Sequence, residues 1–226
     1  MAITVTLAVS TPDNANTATY TSGAFTPAIG DVLVIFTSAT ATVTQAATMT
    51  GTGAGLTFTK VQHALRNTSA DISHMFVSNQ FVSAAASQTV TVDYGADAGT
   101  SCVTTVLRIA GTLAPGTACI RQSAKQDNGA AAGTASVSLG ATPSTNNTVI
   151  GHLGNNSNPA TVTQPASWTE SSDNGTNLPA TGNECCHIIT GYTTNPTVWG
   201  STSATAFGAI VAEIDGVANL QPQSIM

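Results

Sequence analysis

The sequence predicts an all-β protein, an antiparallel two-sheet sandwich in which one strand pattern is written twice. Three observations predict it: a repeated ten-residue strand, four further matches in the same chain order, and the composition. "CVTTVLRIAG" (102–111) and "FGAIVAEIDG" (207–216), 105 residues apart, both carry Val fifth, Ile eighth and Gly tenth. Only 7% of the 226 residues are charged, against about 25% in ordinary soluble domains. Thr, Ser, Asn and Ala fill the places that Lys and Glu usually take, and that bias favours strands and turns.

The elements follow in order. "MAITVTLAVSTPD" alternates Thr with apolar residues and reads as a first strand, not as a signal peptide with a positive start. The expectation is a chain made in a cytoplasm and not exported by the general secretory route. "DVLVIF" (31–36) is apolar throughout, the mark of a central strand covered on both faces, with a subunit contact as one cover. "GTGAG" (51–55) precedes "LTFT" and reads as a hairpin loop, not a phosphate cradle. "FVSAAAS" (81–87) has room for one short helical turn. "QTVTVDY" (88–94) puts Val90, Val92 and Tyr94 inward and Thr89, Thr91 and Asp93 outward. The link 111–134 is loop-like but keeps Leu113, Cys119 and Ile120. "DNG" at 127–129 and at 173–175 signals turns.

The halves, 1–110 and 111–226, match upstream of the repeated strand as well. "TPAIGDVLVIF" (26–36) faces "TPSTNNTVIGH" (142–152), and "LTFTK" (56–60) faces "SWTE" (167–170), aligning Phe58 with Trp168 as equivalent core residues. "ISHMFVSN" (72–79) faces "CCHIITGY" (185–192), aligning His74 with His187, and "QTVTVDYG" (88–95) faces "PTVWGS" (196–201). Larger single units bury a larger fraction of their surface, so the expectation is one jelly-roll-like domain over 1–226, two sheets built from interleaved pseudo-repeats. Val106, Ile109, Val211 and Ile214 are its expected common core.

These strand-and-turn patterns, from "GDVLVIF" and "QTVTVDYG" to "ASWTES" and "TVWGSTSATAFGAIVAEIDG", resemble the jelly-roll proteins of tailed bacteriophage virions. The resemblance spans nearly the whole chain and brings no catalytic signature or residue set. It implies a capsid decoration protein, a head or tail fibre, or a glycan-binding module.

Five cations, Lys60, Arg66, Arg108, Arg121 and Lys125, form no run, and the net charge is −6; nucleic acid is not an expected partner. No apolar run nears the roughly 18 residues of a membrane span. Cys102, Cys119, Cys185 and Cys186 read as buried free thiols, with a Cys102–Cys119 bridge as the alternative in an oxidising compartment. A metal would take His74 and His187 with Asp71 or Glu184, yet no ligand spacing supports it, and half-buried hydrogen-bonded histidines are the expectation. Asp93 with Asp97 reads as a turn, and Glu213 with Asp215 as a solvated strand face or an oligomer contact. Trp168, Trp199, Tyr20, Tyr94 and Tyr192 could stack on sugars, though Trp168 aligns with a core Phe. Sequons at Asn67, Asn146, Asn155 and Asn174 carry little weight without a secretion signal. The expectation is therefore no enzyme, no cofactor and no metal. It is a homo-oligomeric virion structural protein, most specifically a decoration protein bound to the major capsid protein or another virion protein. The runner-up is a fibre or tail adhesin for a host glycan.

Overall fold

The computed structural model describes residues 3–42, 45–53, 55–67, 71–129, 132–157 and 162–216. Fifteen strands follow one another: β1 (Thr4–Asp13), β2 (Thr19–Thr21), β3 (Val32–Thr40), β4 (Thr48–Gly51), β5 (Phe58–Asn67), β6 (Asp71–Ser78), β7 (Val90–Asp93), β8 (Ser101–Ala110), β9 (Ile120–Asn128), β10 (Gly133–Val137), β11 (Thr148–Asn155), β12 (Thr169–Asn177), β13 (Ala180–Ile188), β14 (Thr197–Ser203) and β15 (Phe207–Ile214). Among the described residues there is no α-helix, and the one 3-10 turn is Gly116–Cys119. The fold is all-β and antiparallel, as the Thr-rich alternation predicts. Among the described residues no helix is long and apolar enough to cross a membrane. "FVSAAAS" forms no helical turn; its Val82 amide is held by the Asp31 carbonyl at 2.9 Å instead.

The sandwich has four layers, not two. One five-stranded sheet runs β1-β8-β3-β6-β5 and the other β9-β15-β11-β13-β12; β2-β7-β4 and β10-β14 are smaller sheets. No sheet takes strands from both halves, so the interleaving expected from the repeat does not occur. The large sheets stack face to face along a seam. Here β1 lies over β12 and β5 over β9, while β13 lies over β3 and β8. Because β1 corresponds to β9 and β5 to β12, each of these edge contacts has its mate, as a two-fold axis would require.

Strand alternation divides the core three ways. On β3, Leu33 and Ile35 face the small sheet of their own half, while Val32, Val34 and Phe36 face the seam. The continuous run "VLVIF" is thus covered on both faces, and its second cover is the other half of the same chain. Ile109 and Ile214 meet in the seam, whereas Val106 and Val211 point away into the two outer cores. The expected single common core is corrected by parity: residues three apart on a strand face opposite ways. Val90, Val92 and Tyr94 are buried as the alternation predicts, and Trp168 is buried in the outer core of its half, with Phe58 partly buried against the other.

Both "DNG" turns are corrected. Asp127 and Asn128 pair with Gly208 and Phe207 in β9, and Asp173 to Gly175 pair with Glu184 to Gly182 in β12. The Asn174 side-chain oxygen takes the Gly175 amide at 2.8 Å, a local bond satisfied inside a strand. "GTGAG" does connect an antiparallel pair, since Thr50 bridges Thr57.

Candidate functional site

The richest side-chain chemistry in the chain lies in the polar end of the seam. Arg66, at the end of β5, has no accessible surface. Its guanidinium donates to the Asn155 carbonyl at 2.6 Å, to the Ala39 carbonyl, and to Thr40 Oγ1 at 3.1 Å. Gly154 and Gly208, directly opposite each other on β11 and β15, give it room. A Cβ on Gly154 would overlap Ser38 Oγ and Ser73 Oγ and lie 3.0 Å from Arg66 Cδ; one on Gly208 would lie 3.1 Å from Arg66 Cγ. Two glycines are required here by close approach.

Beside the arginine, Ser38 Oγ lies 3.0 Å from His152 Nε2, and His152 Nδ1 lies 3.4 Å from Cys185 Sγ. Burial, with a smaller contribution from Arg66, lowers the His152 pKa to about 3, so its ring is neutral. Burial pushes the Cys185 thiol well up. A hydroxyl, an imidazole and a thiol in a row have the composition of a nucleophile with its base. None of the three has accessible surface, and the imidazole and thiol are both uncharged, so the row acts as a hydrogen-bonded tie between halves. Asn183 extends it by donating to Thr105 Oγ1 at 2.7 Å. Ser101 and Thr181 close the seam at 2.5 Å.

His74 and His187, which the repeat aligns, do not occupy equivalent places. Strand register aligns His74 with Glu184 and His187 with Val77, because Val34–Val77 corresponds to Ile150–His187. His74 packs against Tyr94 and Phe76 in one outer core. His187 Nδ1 is bonded to Ser171 Oγ at 2.8 Å. Asp71 is spent on the Ala41 amide and the Asn156 side chain, at 2.9 and 2.7 Å. Among the described residues, no group of three or more His, Cys, Asp or Glu is arranged to hold a metal ion. Glu184 is buried with both carboxyl oxygens unpartnered. Burial, then the neighbouring Glu170 and Asp173, raises its pKa to about 9, so it is a neutral acid at pH 7.

Glu213 is not on a solvated face. It has no accessible surface and accepts from the Ser144 amide at 2.8 Å and from Asn147 Nδ2 at 2.7 Å. Asn147 also donates to Asp215 at 2.8 Å. The first half holds the mirror arrangement: Arg108, equivalent to Glu213, donates to Asp31, equivalent to Asn147, at 2.5 Å. Both halves anchor the last strand to the turn after Thr-Pro, with the sign of the strand residue reversed.

Asp93 and Asp97 line an open cleft of about 460 Å³ with Thr48, Tyr94 and Gly95. Tyr94 is wholly buried, and Tyr20, Trp168, Trp199 and Tyr192 are buried too, so none of the five is a sugar platform. Trp168 and Tyr192 stack edge to face at 5.1 Å. All four cysteines are free and buried. No family model, curated protein or solved structure matches the chain.

Proposed function

We propose that the protein is a structural component of a bacteriophage virion, a decoration protein seated on the outer shell through the major capsid protein or another virion protein. One observation carries the reading. Ile29, Leu113 and Phe81, 69%, 60% and 37% exposed, lie on three neighbouring segments of a chain in which only 7% of the residues are charged. The Gly30 amide bonds the Val82 carbonyl at 2.8 Å, which ties the segment carrying Ile29 to the segment carrying Phe81. Gly116, on the segment carrying Leu113, packs on Asn79. An exposed apolar patch suits docking onto another protein, and few ions need desolvation when it docks. The strand order β1-β8-β3-β6 beside β2-β7-β4 in the first half supports the resemblance to jelly-roll proteins.

The second reading, a host-glycan adhesin, is favoured by the cleft, where Asp93 and Asp97 offer acceptors for sugar hydroxyls. One deletion virus separates the two. Shells lacking the protein break at lower temperature if it is a decoration protein. Normal shell stability with lost adsorption to host cells overturns that reading in favour of the adhesin.

A further inference from the structure

The seam sorts the edge strands into two lateral sides of opposite charge. On one side, β5 lies over β9, and these two strands carry Lys60, Arg66, Arg121 and Lys125, four of the chain's five cations. Arg66 is buried, leaving Lys60, Arg121 and Lys125 at the surface with His63, and Asp127 as the one acid on those strands. On the other side, β1 lies over β12. These strands carry Asp13, Glu170 and Asp173 and no Lys or Arg. Lys125 pairs with Asp127 at 2.8 Å and Arg121 lies 3.6 Å from Asp215, whereas neither Lys60 nor Glu170 nor Asp173 makes an ion pair among the described residues.

The sign reversal follows the repeat. Lys60 and His63 on β5 correspond to Glu170 and Asp173 on β12, because both strands carry a bulge at the equivalent place, between Lys60 and Gln62 and between Glu170 and Ser172. All four edge strands end their sheets, and although the Leu65 amide of β5 is taken by Asp127 at 2.8 Å, a sheet edge readily takes another strand.

We infer that copies of this chain associate side to side, the β5/β9 side of one against the β1/β12 side of the next. The occupant is a second copy because the complementary charge is built into the same body. A contact between two identical sides would set Glu170 and Asp173, or Lys60 and Lys125, against themselves, and like charges directly opposite are destabilising. The contact is therefore heterologous, and it propagates as a ring or a row. It is a property of the isolated chain and holds or fails whatever surface the protein occupies.

Sedimentation of the full chain at pH 8 tests it. Association that depends on protein concentration is expected at 50 mM salt and weakens at least about tenfold at 500 mM, as screened charges require. Lys60→Gln with Lys125→Gln disables one side; Glu170→Gln with Asp173→Asn disables the other. Each double variant alone is expected to be monomeric with an unchanged melting curve, and the two mixed form a dimer that grows no further. A chain that stays monomeric near 1 mM protein in low salt overturns the inference. So does association that survives both double variants, or a mixture that stays monomeric. If either double variant melts early, single substitutions Lys60→Gln and Glu170→Gln replace it in the same mixing test.

Discussion

Ser38 and His152, from different halves of the chain, meet at 3.0 Å across a seam that admits no solvent. The hydroxyl and the neutral ring satisfy each other, and the other ring nitrogen faces the Cys185 sulfur. A charge on this ring would be buried and would sit beside the Arg66 guanidinium.

Stability should therefore depend on pH in two opposed ways. His152, held near 3 in the folded chain against an ordinary 6.5, contributes fully above pH 6.5 and loses its contribution as pH falls toward 3. Glu184, raised from 4.5 to about 9, contributes below pH 4.5 and loses its contribution as pH rises toward 9. The two slopes, each about 1.4 kcal/mol per pH unit, offset each other between 4.5 and 6.5. Urea unfolding across pH 6.5–9 should show falling stability, and Glu184→Gln should flatten that limb. A flat wild-type profile there would mean that Glu184 is solvated.

Gly154→Ala should cost about 1–3 kcal/mol through overpacking, since the new methyl meets Ser38, Ser73 and Arg66 at once. Gly140→Ala is the control. Its added methyl meets only Gln122 Oε1, at 3.7 Å, and thermal melts should place it within about 0.5 kcal/mol of wild type.

Residues 1–110 and 111–226 should not fold as independent units. Each alone would expose its seam face, including Phe36, Met75 and Leu107 in the first half and Ile150, Ile210 and Ile214 in the second. Ile109→Ala or Ile214→Ala should lower the single transition of the whole chain by about 2–5 kcal/mol. Two separately expressed halves whose melts sum to that of the intact chain would refute the shared seam.

The four thiols should resist alkylation in the native protein and all react after denaturation without reductant, because each is free and buried. Mass measurement decides the matter. Fewer than four labels in the denatured chain would reveal a bridge, with Cys102 and Cys119 the pair to examine first.

The repeat was legible because apolar residues at fixed spacing survive loop changes: Val106 and Val211, or Ile109 and Ile214, are equivalent in the structure as in the sequence. The pairing of His74 with His187 failed because loops of different length shift the alignment by whole residues, and only strand register reveals Glu184 opposite His74's place. The seam itself was hidden by its chemistry. Ser38, Ser73, Thr105 and Asn183 look like solvent-facing strand residues, yet all are buried. A Ser or Thr in a strand is spelled the same whether water or a second sheet lies above it. Arg66 gave no sign either, since one cation in a Thr-rich stretch usually belongs at the surface.

Stacking the two large sheets as equivalents also changes what the seam must withstand. Two free chains meeting through such a face would have to overcome the loss of their independent motion, a cost of several kcal/mol. Here the segment from Gly111 to Cys119 joins the partners and holds one beside the other, at the effective concentrations, on the order of millimolar, that short tethers give. Tethered partners can keep a contact rich in hydroxyls and one buried cation that untethered ones would lose on dilution. Cutting the chain in that segment, with no residue of the seam altered, should turn a concentration-independent melt into one that rises with protein concentration.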